Sequence, residues 1–483
     1  MGDGQRGVYT LSGRTLRTLR RVWSLLDFIK NRHYFRGSRI LLSALLLVVG
    51  LQLWAAPCVA KFVTLEDIPV GFAENPRYGQ IIREIHVEGS KHTREWVIKL
   101  ALKSRIGHPY TEENAKKDLL WVARLGSFTA VLFRVDPVED GIALTVIVTE
   151  ATPWLPSVSF KITEENGVEI GPALSSFNLF GTAARANIYA RFGGATNIGL
   201  RYADPVLPVS NWMAGYRFQY FHRERRNELL DYNEKTDEVF LEVSQPTSDE
   251  MRSGLRFRYL YLRADVDSIT LDPDNPDNIP SLGFYVQHDS RNAVYPTDGW
   301  YIDMEICKYG IFGGNSDYWR LDLDLRRYFR LPLLGPRHSI AFSSYTALMN
   351  GELGVTIPWH QEFFIGGTNS VRGWSMGSRQ GQNQWLTTAE YWFNLMPQKR
   401  WKVWFIKWRM GFQIGVFGDI GTAWSDYEDI NKNWLGGFGA GFRLSMPVIT
   451  VVRLDLGYAE SGLGVKLYIG GAEKAEAQKY RVR

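Results

Sequence analysis

The hydrophobic pattern changes twice along the chain. From residue 40 to 56 apolar residues run almost unbroken, with Arg36 and Arg39 before them and Ala56-Pro57-Cys58-Val59-Ala60 behind. A basic start, an apolar middle and small residues at the end form the layout of a secretory signal, with cleavage expected after Ala60. A retained membrane anchor has a similar length. The basic preface Arg14-Thr15-Leu16-Arg17-Thr18-Leu19-Arg20-Arg21 also suits an organellar transit peptide. Residues 1–60 are read as a leader and 61–80 as a linker.

From Ile81 to Glu150 the pattern is that of a compact α+β unit. Ile82, Ile85 and Val87 mark a short strand, and Thr93 is the expected N-cap of a helix over 96–102. Gly107-His108-Pro109-Tyr110 interrupts. Thr111, with Asn114 three residues on, opens a second helix with Ala115, Leu119, Val122 and Leu125 on its apolar face, and Gly126 closes it. Strands over Phe128–Asp136 and Ile142–Thr149 meet at the hairpin signal Asp140-Gly141. The expected order is βααββ over 81–150. Such a sheet has an open edge to which an extended peptide can add.

Beyond Pro153-Trp154-Leu155-Pro156 the period becomes two. Leu321, Leu323 and Leu325 alternate with Asp322, Asp324 and Arg326, and Leu454, Leu456 and Tyr458 alternate with Arg453, Asp455 and Gly457. Tyr216, Phe218 and Tyr220 do the same around Arg217 and Gln219. A soluble β-sandwich alternates in the same way, so the period alone does not choose. The export leader and the length of the region favour a membrane barrel. Its connections also alternate, long polar ones (Phe221–Asp237, Asp265–Pro280) with tight turns (Asn178–Thr182, Ser248–Met251). The expectation is an all-β transmembrane antiparallel barrel of about sixteen strands over 151–473, then a tail over 474–483.

Charge sharpens this picture. The net charge of +5 arises in the leader, where nine Lys/Arg face only Asp3 and Asp27; the rest holds 47 basic and 49 acidic residues. A nucleic-acid-binding body is excluded on that balance. The two cysteines, Cys58 and Cys307, supply neither a disulfide framework nor a zinc site. No nucleophile triad, phosphate loop or HExxH motif stands in a fitting context, so no enzyme, catalytic residue, cofactor or metal is expected.

One stretch stands apart: Phe364-Ile365-Gly366-Gly367-Thr368-Asn369-Ser370-Val371-Arg372-Gly373-Trp374. Gly366, Gly367 and Gly373 permit sharp turns, and the fork of Arg372 matches a buried carboxylate better than lysine would. By itself the peptide reads first as an exposed hairpin turn with a solvated arginine.

Together with three other pieces, this stretch resembles the BamA-type outer-membrane assembly-factor superfamily, the bacterial surface-antigen barrels. One piece is His288-Asp289-Ser290-Arg291 with Tyr295-Pro296-Thr297-Asp298-Gly299, similar to a family strand motif carried by Asp289, Arg291, Pro296 and Gly299. Another is Val416-Phe417-Gly418-Asp419-Ile420-Gly421-Thr422-Ala423-Trp424, and the last is Arg453–Gly457 followed by Gly464–Gly471. The 81–150 unit resembles a single POTRA domain. Single copy number, Trp374 where an aromatic Phe or Tyr is usual, and Ala472-Glu473-Lys474 at the end depart from the family pattern.

The resemblance implies that Gly366, Gly367, Val371, Arg372, Gly373 and Trp374 form a loop folded into the barrel. Arg372 would then pair with Asp419 and Glu390 on the wall that also carries Gly421. It implies a lateral seam between a first strand with Ser157, Val158 and Phe160 and a last strand with Gly464, Val465, Leu467 and Gly470. The function implied is insertion of outer-membrane proteins by seam opening and strand templating; the alternative is two-partner-type secretion or passive transport through the lumen. Implied partners are unfolded outer-membrane proteins or a secreted client, outer-membrane lipid and accessory periplasmic proteins, with no nucleic acid. The implied location is the outer membrane of a Gram-negative-type cell, with the POTRA domain in the periplasm, or an organellar outer membrane.

Overall fold

The computed structural model describes residues 70–72, 77–151, 154–209, 212–248, 250–272, 276–291, 296–403, 406–426, 429–430, 432–445, 451–459 and 466–470. The leader over 1–60, most of the linker, Gly464, Val465 and the tail from 474 lie outside the described residues.

The small unit is built from β1 (Val70–Phe72), β2 (Ile82–Glu88), α1 (Glu95–Ala101), α2 (Glu112–Arg124), β3 (Phe128–Val138) and β4 (Gly141–Glu150). Its sheet order is β1-β3-β4-β2. Thr111 caps α2 as its sequence suggests, its hydroxyl accepting the Asn114 amide at 3.2 Å. Thr93 does not cap α1. The N-cap is Arg94, with no side-chain bond, because the Thr93 hydroxyl is committed to Glu150 Oε1 at 2.7 Å. Ile82, Val97, Ile98, Tyr110, Val122, Phe128 and Phe133 pack a water-excluding core between helices and sheet. A strand outside the expected βααββ order lies on one border of the sheet. β1, in the stretch read as linker, pairs parallel with β3 (Val70↔Val131 to Phe72↔Phe133) and covers that edge, leaving β2 as the other border.

The second part is one antiparallel sheet of sixteen strands. It opens with β5 (Trp154–Thr163), β6 (Gly167–Leu179), β7 (Ala184–Gly193), β8 (Ala195–Val209), β9 (Trp212–Asn227) and β10 (Tyr232–Pro246). It continues through β11 (Met251–Ala264), β12 (Asp277–Asp289), β13 (Gly299–Tyr309), β14 (Tyr318–Arg330) and β15 (His338–Asn350). A two-stranded ribbon, β16 (Phe363–Ile365) and β17 (Arg379–Gly381), interrupts before β18 (Asn383–Val403), β19 (Ile406–Trp424), β20 (Leu435–Ser445), β21 (Val451–Tyr458) and β22 (Lys466–Gly470). Neighbours in the chain are neighbours in the sheet throughout, with β15 pairing β18 across the ribbon. β22 and β5, the two ends, come within 8 Å between Cα atoms. No ladder joins them among the described residues.

The run 221–237, read as a loop, is mostly strand. β9 continues to Asn227 and β10 resumes at Tyr232. Its charges divide between the faces, with Arg223 and Arg225 bonding the buried Glu234 at 3.1 and 2.5 Å on one and Lys235 pairing Glu224 at 2.8 Å on the exposed other.

Burial along these strands is the reverse of a soluble sandwich. Val243, Leu255, Phe284, Ile306, Leu321 and Leu348 are direct cross-strand partners in sequence across six strands. All six are exposed, from 37% to 56%. Their polar neighbours Glu242, Arg256, Glu305 and Asp322 are at most 5% exposed. A continuous outward apolar row over a buried ionic interior fits lipid outside and a polar lumen within.

The small unit packs on the β6–β7 end of the sheet. The Arg94 amide donates to Gly181 O at 2.9 Å, Asn178 Nδ2 to Thr93 Oγ1 at 2.8 Å, and Ser127 Oγ to Phe177 O at 2.9 Å. Since strands alternate in direction, the turns after β5 and β15 both lie at the opposite end.

Candidate functional site

The connection from β15 to β18 leaves the sheet at the end remote from the small unit and folds back inward. Its turn is stiffened locally: the Gly366 amide donates to Ser370 Oγ at 2.7 Å, and that hydroxyl donates back to Gly366 O at 2.6 Å. The Gly367 amide donates to Trp374 O at 3.1 Å. Gly373 has φ +101°, and a Cβ there would lie 2.6 Å from the Tyr458 carbonyl carbon. Only glycine fits both the conformation and the gap.

This turn delivers Arg372 into the interior with no exposed surface. Its amide and Nε donate to Asp419 Oδ2 at 3.0 and 2.7 Å, and Nη2 donates to Asp419 Oδ1 at 2.9 Å. Nη2 also donates to Glu390 Oε1 at 3.0 Å and Nη1 to Asp455 Oδ2 at 2.8 Å. The Phe417 ring lies under the guanidinium, 3.3 Å from centroid to Cζ. These are charge-assisted bonds with a bidentate core and a cation–π face.

The carboxylates converge because the strands carrying them have period two. Thr388 and Glu390 on β18 share a face, as do Phe417 and Asp419 on β19, and the register pairs Thr388 with Asp419 and Glu390 with Phe417. Thr388 Oγ1 donates to Asp419 Oδ1 at 2.9 Å, and Trp392 Nε1 to Glu390 Oε2 at 3.2 Å. Arg443 also binds Glu390, stacking 3.7 Å over Trp392, and Arg453 Nη1 lies 3.5 Å from Asp455 Oδ2. Three guanidiniums thus face three carboxylates in a site removed from water. That balance is what keeps the desolvation cost of each ion tolerable.

The structure brings Arg372, Glu390 and Asp419 together. Val371 packs with Ile365, Leu386, Ala423 and Leu435. Gly421 sits beneath it, where a Cβ would lie 3.2 Å from Val371 Cγ2 and 2.5 Å from Leu386 Cδ2. Trp374 Nε1 donates to Gly436 O at 2.9 Å. Asp289, Arg291, Pro296 and Gly299 are elsewhere, at the β12–β13 connection on the small unit's end of the sheet. There Arg291 grips its own neighbour Asp289 with two 2.8 Å bonds and stacks on Tyr301 at 4.5 Å. Ser157, Val158 and Phe160 are on β5, and Leu467 and Gly470 on β22, the two borders of the sheet.

Arg443 and Trp392 were not singled out from sequence, and Phe417, Arg453 and Asp455 were quoted within family motifs, without a role beside Arg372. Asp455 and Arg453 were placed on the polar face of their strand, but only the third dimension brings that face to Arg372. Among the described residues no His, Cys, Asp or Glu cluster is arranged to hold a metal. No described helix is long and apolar enough to cross a membrane, which does not bear on strands.

Residues 178–464 match the Omp85 superfamily domain. The chain belongs to the Omp85 superfamily and is an outer-membrane β-barrel-type protein of bacteria or organelles. It is similar to the outer membrane protein assembly factor BamA of Neisseria meningitidis, 22% identical, over 79% of this chain and 52% of that protein. It is also similar to the sorting and assembly machinery component 50 homolog A of Xenopus laevis, 23% identical, over 65% of this chain and 69% of that one. The chain therefore spans about half the length of the meningococcal protein. Among solved structures, BamA from Haemophilus ducreyi lacking POTRA domains 1–3 shares the fold at TM-score 0.60 and 16% identity, covering 81% of this chain and 83% of that one. CdiB from Escherichia coli does so at 0.59 and 15%, covering 81% and 75%.

Proposed function

We propose that this protein inserts client β-barrel proteins into an outer membrane through a lateral seam between β5 and β22. The observation that carries the reading is the contrast in the sheet. Fifteen neighbouring pairs are joined by ladders, whereas the two end strands lie side by side without one among the described residues. A bare strand edge templates another strand. A client strand adding to β5 or β22 would be hydrogen-bonded at once and could pass sideways into lipid without exposing backbone polar groups. In this reading the sheet closes as a barrel, the 81–150 unit is a periplasmic POTRA domain, and the site around Arg372 holds the infolded loop in place. Clients would dock first at the β2 edge of that domain, or at the β3 edge by replacing β1.

The assembly role in the names of the meningococcal and Xenopus relatives supports this reading. The experiment is depletion of the protein followed by an outer-membrane proteome. Broad loss of barrel proteins is expected. Loss of one secreted protein, with a wide steady conductance for the purified chain, would instead establish transport through the lumen.

A further inference from the structure

The infolded turn is tied to both ends of the sheet at once. On the first-strand side, Thr368 donates its amide (2.8 Å) and its hydroxyl (3.0 Å) to Glu164 Oε2 in the β5–β6 turn. Gly367, at φ +88°, lies so close that an added Cβ would collide with the same carboxylate. That turn is itself braced, since Glu165 accepts Arg225 Nη1 at 2.6 Å. On the last-strand side the contacts are with β21: Arg372 with Asp455 at 2.8 Å, Arg453 Nη2 with Asn369 Oδ1 at 3.2 Å, and Gly373 against the Tyr458 backbone. The turn therefore spans the one place where the ladder is missing among the described residues.

We propose that Glu164 is a positioning residue, the releasable half of a clasp by which the infolded loop holds the first hairpin to the C-terminal wall; this rests on the lateral-seam reading above. The two attachments are unequal. Arg372 makes five charge-assisted bonds in a site closed to water. Glu164 is exposed and accepts two donors on a single oxygen. Hydrogen bonds in water exchange for bonds to solvent at small net cost, whereas a stripped buried charge has no such substitute. When the ends separate, the loop stays with β18–β21 and the β5–β6 hairpin departs.

The test uses the full chain in lipid vesicles, with Cys58 and Cys307 replaced by Ser and spin labels on Asn166→Cys and Lys432→Cys. The distance distribution between the β5–β6 turn and the β19–β20 connection is then measured by pulsed dipolar spectroscopy. Glu164→Ala should raise the long-distance population at least threefold. Thr368→Val should raise it less, the double variant no further than Glu164→Ala, and Glu164→Gln, which keeps an acceptor, should restore most of the short distance. An unchanged distribution in Glu164→Ala, or fully additive effects in the double variant, overturns the proposal. Client insertion into the same vesicles is scored separately. Failure of the unaltered chain to insert a client while the distances respond removes the insertase reading and leaves the clasp. Normal insertion with unresponsive distances does the opposite.

Discussion

Replacing Arg372 by alanine should release the infolded loop, and the size of the effect follows from what is left behind. The substitution removes four bonds donated by the guanidinium and the cation–π contact with Phe417, keeps only the backbone amide on Asp419, and leaves Asp419, Glu390 and Asp455 with Arg443 and Arg453 as the remaining cations. Stranding a buried charge in this way costs about 3–5 kcal/mol. At about 1.4 kcal/mol per tenfold, that shifts the docked-to-undocked ratio by roughly two to three and a half orders of magnitude. Limited trypsin digestion reads this ratio, because cleavage follows the open population when opening is fast relative to cutting. Arg379, which is part-buried beyond the turn with its Nη1 on Ser378 O at 2.8 Å, is the reporter bond. Arg372→Lys keeps the charge but not the fork and should fall between. Arg372→Met with Asp419→Leu restores the charge balance, so it should digest more slowly than Arg372→Ala. Wild-type digestion of Arg372→Ala, or a double variant as exposed as the summed single variants, would refute the reasoning.

Gly373→Ala forces a side chain into a positive-φ position against the Tyr458 backbone. It should weaken loop docking by on the order of 1–3 kcal/mol, seen in the same digestion, with wild-type resistance as the contrary result. Phe284→Arg sets a charge in the middle of the outward apolar row and should lower folding stability in bilayers by about 2–4 kcal/mol; a neutral effect in urea titration would remove that row from the lipid. Glu362 is buried, and its Oε2 has no hydrogen-bond partner among the described residues. Burial pushes its carboxyl up to about 7, so the folded state holds an extra proton between the ordinary 4.5 and 7, and stability falls as pH rises through that window. Glu362→Gln should flatten this slope between pH 5 and 8 in thermal melts; an unaltered slope contradicts it. Glu150 is the opposite case. Burial raises its carboxyl, but the bonds from Thr93 and His92 outweigh that and hold it at about 2. Its contribution is complete above pH 4.5 and lost as pH falls through 2. At neutral pH Glu150→Gln should speed hydrogen exchange in the 81–150 unit, a loss of about 1.5–3 kcal/mol; unchanged exchange would show that these bonds add no net stability.

What sequence made legible follows from which forces leave a local signature. Strand periodicity and the break at residues 153–156 are local and were readable. Which face is buried is not, because lipid and a protein core ask for the same alternation. The inversion became visible only where Leu321 and Leu456 are exposed while Asp322 and Asp455 are buried. Polar composition misled at 221–237, since Arg223, Arg225 and Glu234 serve as a lumen-facing network, not as a solvated loop. Thr93 matched a capping pattern, yet a carboxylate 57 positions away competed better for its hydroxyl. The pairing of Arg372 with Asp419 and Glu390 was expected only through family resemblance. Asp455 and Glu164 lie 83 and 204 positions from their partners in the loop, and nothing local marks them.

The choice of ions for the loop site carries its own argument. A buried ionic cluster adds little net stability over well-packed apolar groups of the same size, so Arg372 and its carboxylates are a poor way simply to plug a barrel. They are a good way to make docking conditional. An apolar plug would be indifferent to small rotations, whereas a planar fork bound at 2.7–3.0 Å to two carboxylates is lost once β18 and β19 shift relative to the turn. Leaving is correspondingly costly, because it would strip the carboxylates of their partner in a site closed to water. Strands β10–β13 carry a second buried ionic group, in which Arg256 bonds Glu242, Asp303 and Glu305 at 3.0, 3.2 and 2.6 Å, so the same device recurs elsewhere in the sheet. In the insertion reading proposed above, such a lock would keep the loop on β18–β21 and leave the exposed Glu164 contact as the one that yields.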